Sequence, residues 1–274
     1  MINARTRSVW MLGHPVTQTV SPSLFNHAFA AAKENLVMLP MDVPPPQLGN
    51  AMQVLRHADN VLGCLLTIPH KLPAVKFMDD LSERSQALGL VNIVRKTPRG
   101  LEGDALDGQG LAGALSQHGY DLQNMTLLVI GCGGAGASCA WDALQAGASR
   151  VGLFDSDMLR LEALAKVLSE RFGSQRVQAL QRPAGDWSCV LNASPLGMRV
   201  GDAFPMLVKD AVPGAVLVDA TTPVQPSRWL QQAQLNGHRV INGVDFTRGQ
   251  VLAMARFFEF PITVQVALTR HELS

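Results

Sequence analysis

Three stretches of this chain hold residue types that could do chemistry together: Lys71 in "GCLLTIPHKLPA" (63–74), Asp107 in "EGDALDG" (102–108), and the glycine-rich "LLVIGCGGAGAS" (127–138). Lys71 directly follows an apolar run that reads as a buried strand. Lysine is almost never fully buried unless paired, and open α/β sheets place their ligands outside the carboxyl ends of their strands. A desolvated lysine held by an aspartate can exchange a proton near neutral pH. Oxidation of an alcohol needs such a group, because the hydroxyl proton must leave as hydride departs. Taken singly, each residue also has a plainer reading. Lys71 could open a surface helix, and Asp107 could be a turn aspartate.

The glycine-rich stretch supplies the other half of that chemistry. Gly131, Gly133 and Gly136 stand in a G-x-G-x-x-G frame that follows an apolar strand and opens a helix. In that context the first glycine permits a tight turn, and the second lets the backbone approach a pyrophosphate. The third allows helix and strand to pack closely, and the helix N-terminus faces the negative charge. Gly134 and Ala135 complete the candidate cofactor-binding loop. Asp155 ends the next strand, where a carboxylate can accept from the ribose hydroxyls of NAD and repel the 2′-phosphate of NADP. Arg160 is the first cation after it. The expectation is therefore NAD in preference to NADP.

These residues need a scaffold of alternating strands and helices. "SVWML" (8–12), "NLVMLPMDV" (35–43) and "NVLGCLLTI" (60–68) read as strands. Between them, "SPSLFNHAFAAAKE" (21–34) has Ser21 as N-cap and Pro22 at the first helical position. "QLGNAMQVLRHA" (47–58) is a second amphipathic helix. The second half repeats the scheme with strands at "MTLLVIG", "SRVGLFD", "CVLNAS", "AVLVDAT" and "HRVI". This pattern argues for an α/β protein with mostly parallel sheets. The expected organisation is an N-terminal α/β substrate domain over 1–107 and a Rossmann-type dinucleotide-binding domain over 108–242. Residues 243–274 are expected to be helical and to return to the first domain.

Composition narrows the partners. Lys plus Arg number 23 against 22 for Asp plus Glu, so there is no basic excess to draw nucleic acid or an anionic membrane. No run approaches the roughly 18 apolar residues of a spanning helix, and the N-terminus lacks the apolar core of a signal peptide. Cys64, Cys132, Cys139 and Cys189 form no C-x-x-C pair and the histidines show no ligand spacing, so no metal site is expected. The expectation is a cytoplasmic enzyme, monomer or homodimer, acting on a small molecule.

Seven blocks then resemble one family. "GHPVTQTVSPSLFNHAF", "LLTIPHK", "LVNIV", "GDALDGQG", "GCGGAGAS", "NASPLGM" and "NGVDFTRGQ" occur in the order and approximate spacing of the shikimate dehydrogenases, a family that includes quinate/shikimate dehydrogenases. The resemblance runs from Gly13 to Gln250. It implies reduction of the ketone of 3-dehydroshikimate, or oxidation of the matching alcohol, or the same chemistry on quinate and 3-dehydroquinate. By resemblance, Lys71 is the catalytic lysine and Asp107 its partner. Thr19 and Ser21 match two serines that hold the substrate carboxylate. Thr67, Asn92 and Gln250 match polar residues around the ring hydroxyls. Gly243 matches a glycine near the nicotinamide, and Asn192 and Ser194 of "NASPLGM" join the cofactor-binding set.

The departures concern the ring rather than the reaction. Leu65 stands where the family usually has a substrate-touching asparagine, in "LLTIPHK" against N-V-T-V-P-F-K. Thr222 in "DATT" stands where a tyrosine is usual, and Ala105 and Leu106 replace two polar residues beside Asp107. An unpaired substrate hydroxyl facing Leu65 would cost about 1–3 kcal/mol. Two alternatives therefore accompany the shikimate reading. One is a paralogue acting on a related cyclic hydroxy or amino acid with weak shikimate activity. The other is a non-catalytic, dinucleotide-responsive binding module, which would have no need of a proton-exchanging pair.

Overall fold

The computed structural model describes residues 2–17, 19–199, 201–221 and 226–260. They divide into two compact units, the first drawn from Met1–Leu106 and Val251–Ser274, the second from Asp107–Gln250.

The first unit runs β1 (Arg7–Gly13), α1 (Ser21–Ala31), β2 (Leu36–Asp42), α2 (Leu48–His57), β3 (Val61–Leu66), β4 (Asp80–Leu81), α3 (Glu83–Leu88), β5 (Ile93–Thr97) and β6 (Gly100–Asp104). Its sheet order is β2-β1-β3-β5-β6-β4. The three apolar strands read from the sequence are parallel, but β3 pairs β5 antiparallel and β5 pairs β6 antiparallel. The sheet is thus mixed, because the β5–β6 hairpin "IVRKTPRGLEGD" joins β3 antiparallel and reverses at its own turn. Ser21 lies at the start of α1 rather than at the N-cap, which is Val20, with Pro22 beside it; helix ends shift by a residue readily.

Strand alternation sorts the first unit's apolar residues into two cores. Met11, Phe25, Phe29, Leu65, Ile93 and Leu106 lie in one. Trp10, Leu12, Met52, Leu55, Cys64 and Leu66 lie in the other. Successive residues of β1 and β3 point to opposite faces, so each strand feeds both layers. Fully burying a side chain such as Phe25 contributes about 1.5–3 kcal/mol.

The second unit opens with α4 (Asp107–Gln117) and continues β7 (Thr126–Ile130), α5 (Gly134–Gln145), β8 (Arg150–Phe154), α6 (Met158–Phe172), β9 (Val177–Ala179), β10 (Cys189–Asn192), β11 (Val216–Asp219), α7 (Arg228–Leu235), β12 (Arg239–Ile241) and α8 (Gly243–Phe257). Its sheet order is β12-β11-β10-β7-β8-β9, with every pairing parallel. Strand order reverses between β7 and β10. The crevice beyond their carboxyl ends is the usual ligand position in such a sheet. The division into units falls after Gln250, inside α8, and Val251 and Met254 of that helix join the core of the first unit. Residues 261–274, expected to be helical, lie outside the described residues. No described helix is long and apolar enough to cross a membrane.

Candidate active site

In the first unit, Lys71 sits in a turn after β3 that backbone bonds hold from three sides. Thr67 N–H donates to the Leu12 carbonyl (2.9 Å), His70 N–H to Thr67 (2.8 Å), and Val91 N–H to the Lys71 carbonyl (2.9 Å). The buried His70 ring adds a fourth tie, with Nε2 2.7 Å from the Val43 carbonyl oxygen. Lys71 itself is half-buried, as is Thr67. The turn is therefore anchored at its base, and its lysine is not sunk into the core.

Asn92 lies in the neighbouring segment. Its backbone carbonyl accepts from Leu66 N–H (2.7 Å), and its Oδ1 accepts from Leu106 N–H (2.7 Å). Its Nδ2 has no protein partner although the residue is only 1% exposed. A buried donor left unmatched costs about 1–3 kcal/mol. Thr19 is less open, since its hydroxyl donates to the Val16 carbonyl (2.8 Å). Ser21 is buried in the first turn of α1.

Leu65, expected to face the substrate, is 2% exposed and packs in the first unit's core with Leu106 and Ile93. Its place in β3, opposite Ile93, directs it into that layer. Thr222 lies outside the described residues.

A support that the sequence reading missed stands behind Asn92. Asp104 ends β6, and its carbonyl accepts from Asn92 N–H (2.9 Å). Burial works against its charge, but Arg84 grips both carboxylate oxygens at 2.8 Å, and the Ser82 hydroxyl and Ala105 N–H donate as well. Together these hold the Asp104 carboxyl below its usual range. The signal was present as a second aspartate in "GDALD", three residues before Asp107.

In the second unit, Asp107 is the first residue of α4 and 5% exposed, and its Oδ1 accepts from Gln250 Nε2 at 2.8 Å. Two residues expected from separate blocks of sequence are thus joined. Gly243 opens α8, the helix that carries Gln250.

The glycine loop meets the requirements of a dinucleotide cradle. Gly131 has φ +97°, and a Cβ there would stand 2.7 Å from Ser194 N. At Gly136 a Cβ would overlap the Gly131 carbonyl oxygen. Both glycines are explained by close approach within the protein. Gly133 is not: its φ is −70°, and a Cβ would meet nothing within 4 Å. It is also the N-cap of α5 and offers no side-chain cap, which leaves first-turn N–H groups for an anion.

Across the strand reversal, Asn192 is fully buried and shapes the adjoining loop. Its Nδ2 donates to the Leu196 carbonyl (2.8 Å) and to Asp219 Oδ1 (3.1 Å), and its Oδ1 accepts from the Ser194 hydroxyl (2.6 Å). Burial pushes the Asp219 carboxyl above its usual range, although Ser227, Thr221 and Asn192 all donate to it. The residues present therefore fit a dinucleotide.

Comparison with known proteins agrees with this geometry. Residues 11–94 match the family model described as the shikimate dehydrogenase substrate binding domain. The shikimate dehydrogenase (NADP(+)) of Rubrobacter xylanophilus is 34% identical over 251 residues, covering 88% of this chain and 87% of that protein. The chain belongs to the shikimate dehydrogenase family. The Methanopyrus kandleri enzyme of the same name is 29% identical over 252 residues, covering 89% of this chain and 87% of its own. A crystal structure of shikimate 5-dehydrogenase from Thermus thermophilus with NADP(H) and shikimate superposes with a TM-score of 0.84. It is 25% identical and covers 96% of this chain and 97% of its own. This protein is accordingly an oxidoreductase of the shikimate dehydrogenase type, with the two-domain α/β fold expected.

The expected preference of this shikimate dehydrogenase homologue for NAD is overturned. Its curated relatives are named for NADP(+), and the Thermus structure contains NADP(H). The physical reason lies at Asp155, which is 7% exposed and has its charge offset by a neighbouring cation. Its Oδ2 accepts from Cys132 N–H at 2.7 Å, and its Oδ1 from Asp157 N–H at 2.9 Å. Arg160 adds positive charge at that point, 3.4 Å from Asp155 and 3.1 Å from Asp157. The Asp155 carboxylate braces the glycine loop and is paired with a cation.

Proposed function

We propose that this enzyme interconverts shikimate and 3-dehydroshikimate with NADP(H). The observation that carries the substrate reading is the unmatched Nδ2 donor of Asn92, buried next to a braced, lysine-bearing turn. When bound, the dinucleotide supplies or takes the hydride at the ring carbon. Lys71 gives a proton to the ketone oxygen as it becomes a hydroxyl, and takes that proton back in the oxidative direction. Asp107 accepts from the same hydroxyl and keeps the lysine ammonium oriented. Thr19 and Ser21 bind the carboxylate, while Thr67, Asn92 and Gln250 bind ring hydroxyls. Gly131, Gly133, Gly134, Ala135 and Gly136 cradle the pyrophosphate, and Arg160 meets the 2′-phosphate.

General acid–base assistance is typically worth about 10²–10⁴-fold. Lys71→Ala should therefore lower kcat by that order with dinucleotide affinity unchanged. Asp107→Asn should be comparably severe, and the double variant much less than additive, because residues acting as a unit are not independent. Unchanged turnover in either single variant rejects these roles. NADP+ should support a higher kcat/KM than NAD+.

Leu65 and Leu106 favour a second reading, in which the preferred substrate is a less hydroxylated or amino-substituted cyclic acid. Both are apolar and buried, so neither offers a ring hydroxyl a hydrogen bond. A panel of shikimate, quinate and ring analogues decides between the two. A kcat/KM for shikimate below about 10⁴ M⁻¹s⁻¹, beneath the ordinary range, with a higher value for a less hydroxylated acid, selects the second.

A further inference from the structure

The first turn of α4 is held by a polar pair that neither the resemblance nor the reaction accounts for. Ser138 and Asp142 lie four residues apart on α5, hence on one face of that helix. Both are buried, at 0% and 4% exposure. Serine and aspartate are poor choices for a helix interior, and a buried carboxylate is costly unless hydrogen-bonded. Both engage α4. Gly108 N–H donates to Ser138 Oγ (3.0 Å), and Gln109 Nε2 donates to Asp142 Oδ2 (3.0 Å). The initial N–H groups of a helix have no partner within it, and Ser138 satisfies one of them from outside.

The two helices also touch at backbone distance. A Cβ on Gly108 would overlap the Ser138 carbonyl oxygen and stand 2.6 Å from Asp142 Cβ. On its other side, α4 meets α8 equally closely: a Cβ on Gly110 would overlap the Gln250 side chain. The residue immediately before Gly108 is Asp107, whose carboxylate Gln250 engages. The helix that carries Ser138 begins at the glycine loop, one turn earlier.

We propose that Ser138 and Asp142 are positioning residues that fix the Asp107 carboxylate relative to the dinucleotide loop. This rests on the role of Asp107 proposed above. The ties run from the loop through α5 into the first turn of α4, all within one compact unit. Gln250 sets the carboxylate from one side, and the α5 pair sets the backbone that bears it from the other. Displacements of about 1 Å at a reacting group can cost on the order of 10²-fold in rate.

The test is a kinetic cycle on the full-length enzyme with shikimate and NADP+. Ser138→Ala and Asp142→Ala should each lower kcat about 10- to 100-fold, with the Kd for NADPH within about twofold of the parent. Asp142→Asn, which keeps an acceptor for Gln109, should restore most of the turnover. In an Asp107→Asn background, Ser138→Ala should cause no further loss, because it acts through Asp107. The inference is overturned if Ser138→Ala keeps parental kcat while Asp107→Asn is impaired. It is equally overturned if Ser138→Ala lowers kcat by the same factor in both backgrounds. Should Asp142→Ala fail to fold, the Ser138 cycle alone decides. Full turnover in Asp107→Asn would remove the proposed role of Asp107, and this inference with it.

Discussion

Gly133 and Gly136 are three residues apart in the same loop, yet the structure predicts opposite consequences for adding one methyl group to each. At Gly136 the new Cβ would overlap the Gly131 carbonyl oxygen, which is backbone and cannot step aside. Gly136→Ala should therefore separate α5 from the loop and destabilise the second unit by about 1–3 kcal/mol or more, the range for overpacking. At Gly133 the Cβ would enter open space, and φ −70° with ψ −173° is ordinary for alanine. Removing a glycine gains about 0.4–1 kcal/mol through the unfolded chain, and alanine is a poorer N-cap than glycine by a comparable amount. The two nearly cancel, so Gly133→Ala should fold with unchanged Tm. Its methyl would occupy the space above the loop and cost at least one charge-assisted hydrogen bond to phosphate, about 1.5–3 kcal/mol. That corresponds to roughly 10- to 100-fold in Kd. Thermal melts give the first quantity and calorimetric titration with NADPH the second. Wild-type NADPH affinity in Gly133→Ala would refute the reasoning, as would an unaltered Tm in Gly136→Ala.

Two further outcomes follow from buried charges and thiols. Asp104 has a carboxyl held below its usual range, so its stabilising contribution is complete above that range and is lost as pH falls through the depressed value. Arg84→Met should cost about 3–5 kcal/mol at pH 7, the penalty for leaving a buried charge unpaired. Burial is then opposed only by the Ser82 hydroxyl and the Ala105 amide, so the Asp104 pKa rises and the deficit should shrink on acidification. Denaturant melts at pH 7 and pH 4 that show the same deficit would contradict this account. All four cysteines are free and buried, and burial pushes the Cys132 and Cys189 thiols up to about 12. A thiol reagent at pH 8 should leave the native protein unlabelled and reach four thiols after denaturation. Early labelling of Cys132 would show that the glycine loop opens.

Much of the fold was legible from short-range spacing. A glycine at 131 that needs φ +97° and alternating strand and helix periods are local properties. Each constrains the backbone within a few residues, so a linear reading finds it. The β5–β6 hairpin was not legible, because its strands are short and interrupted by the charged residues Arg95, Lys96 and Glu102. Only pairing with β3, roughly thirty residues away in sequence, makes them a sheet.

The same limit explains the overturned NAD preference, which rested on Asp155. Sequence placed it at the end of β8, where an aspartate can receive a ribose. Its partners were decided by the fold, which brings the Cys132 amide and the Arg160 guanidinium to Oδ2, while the Asp157 amide takes Oδ1. Likewise the residue type at Asn92 was plain, but its unmatched Nδ2 exists only because Leu106 N–H takes the other end of the amide. Ser138 and Asp142 were invisible inside a helix that reads as ordinary. Their meaning comes from α4, which glycines allow to lie against them at backbone distance. Residue types and local backbone geometry were set by the order of the amino acids. Which polar atoms are already taken, and which stay open for a ligand, was set by long-range packing, because hydrogen bonds saturate and the nearest partner in space claims them.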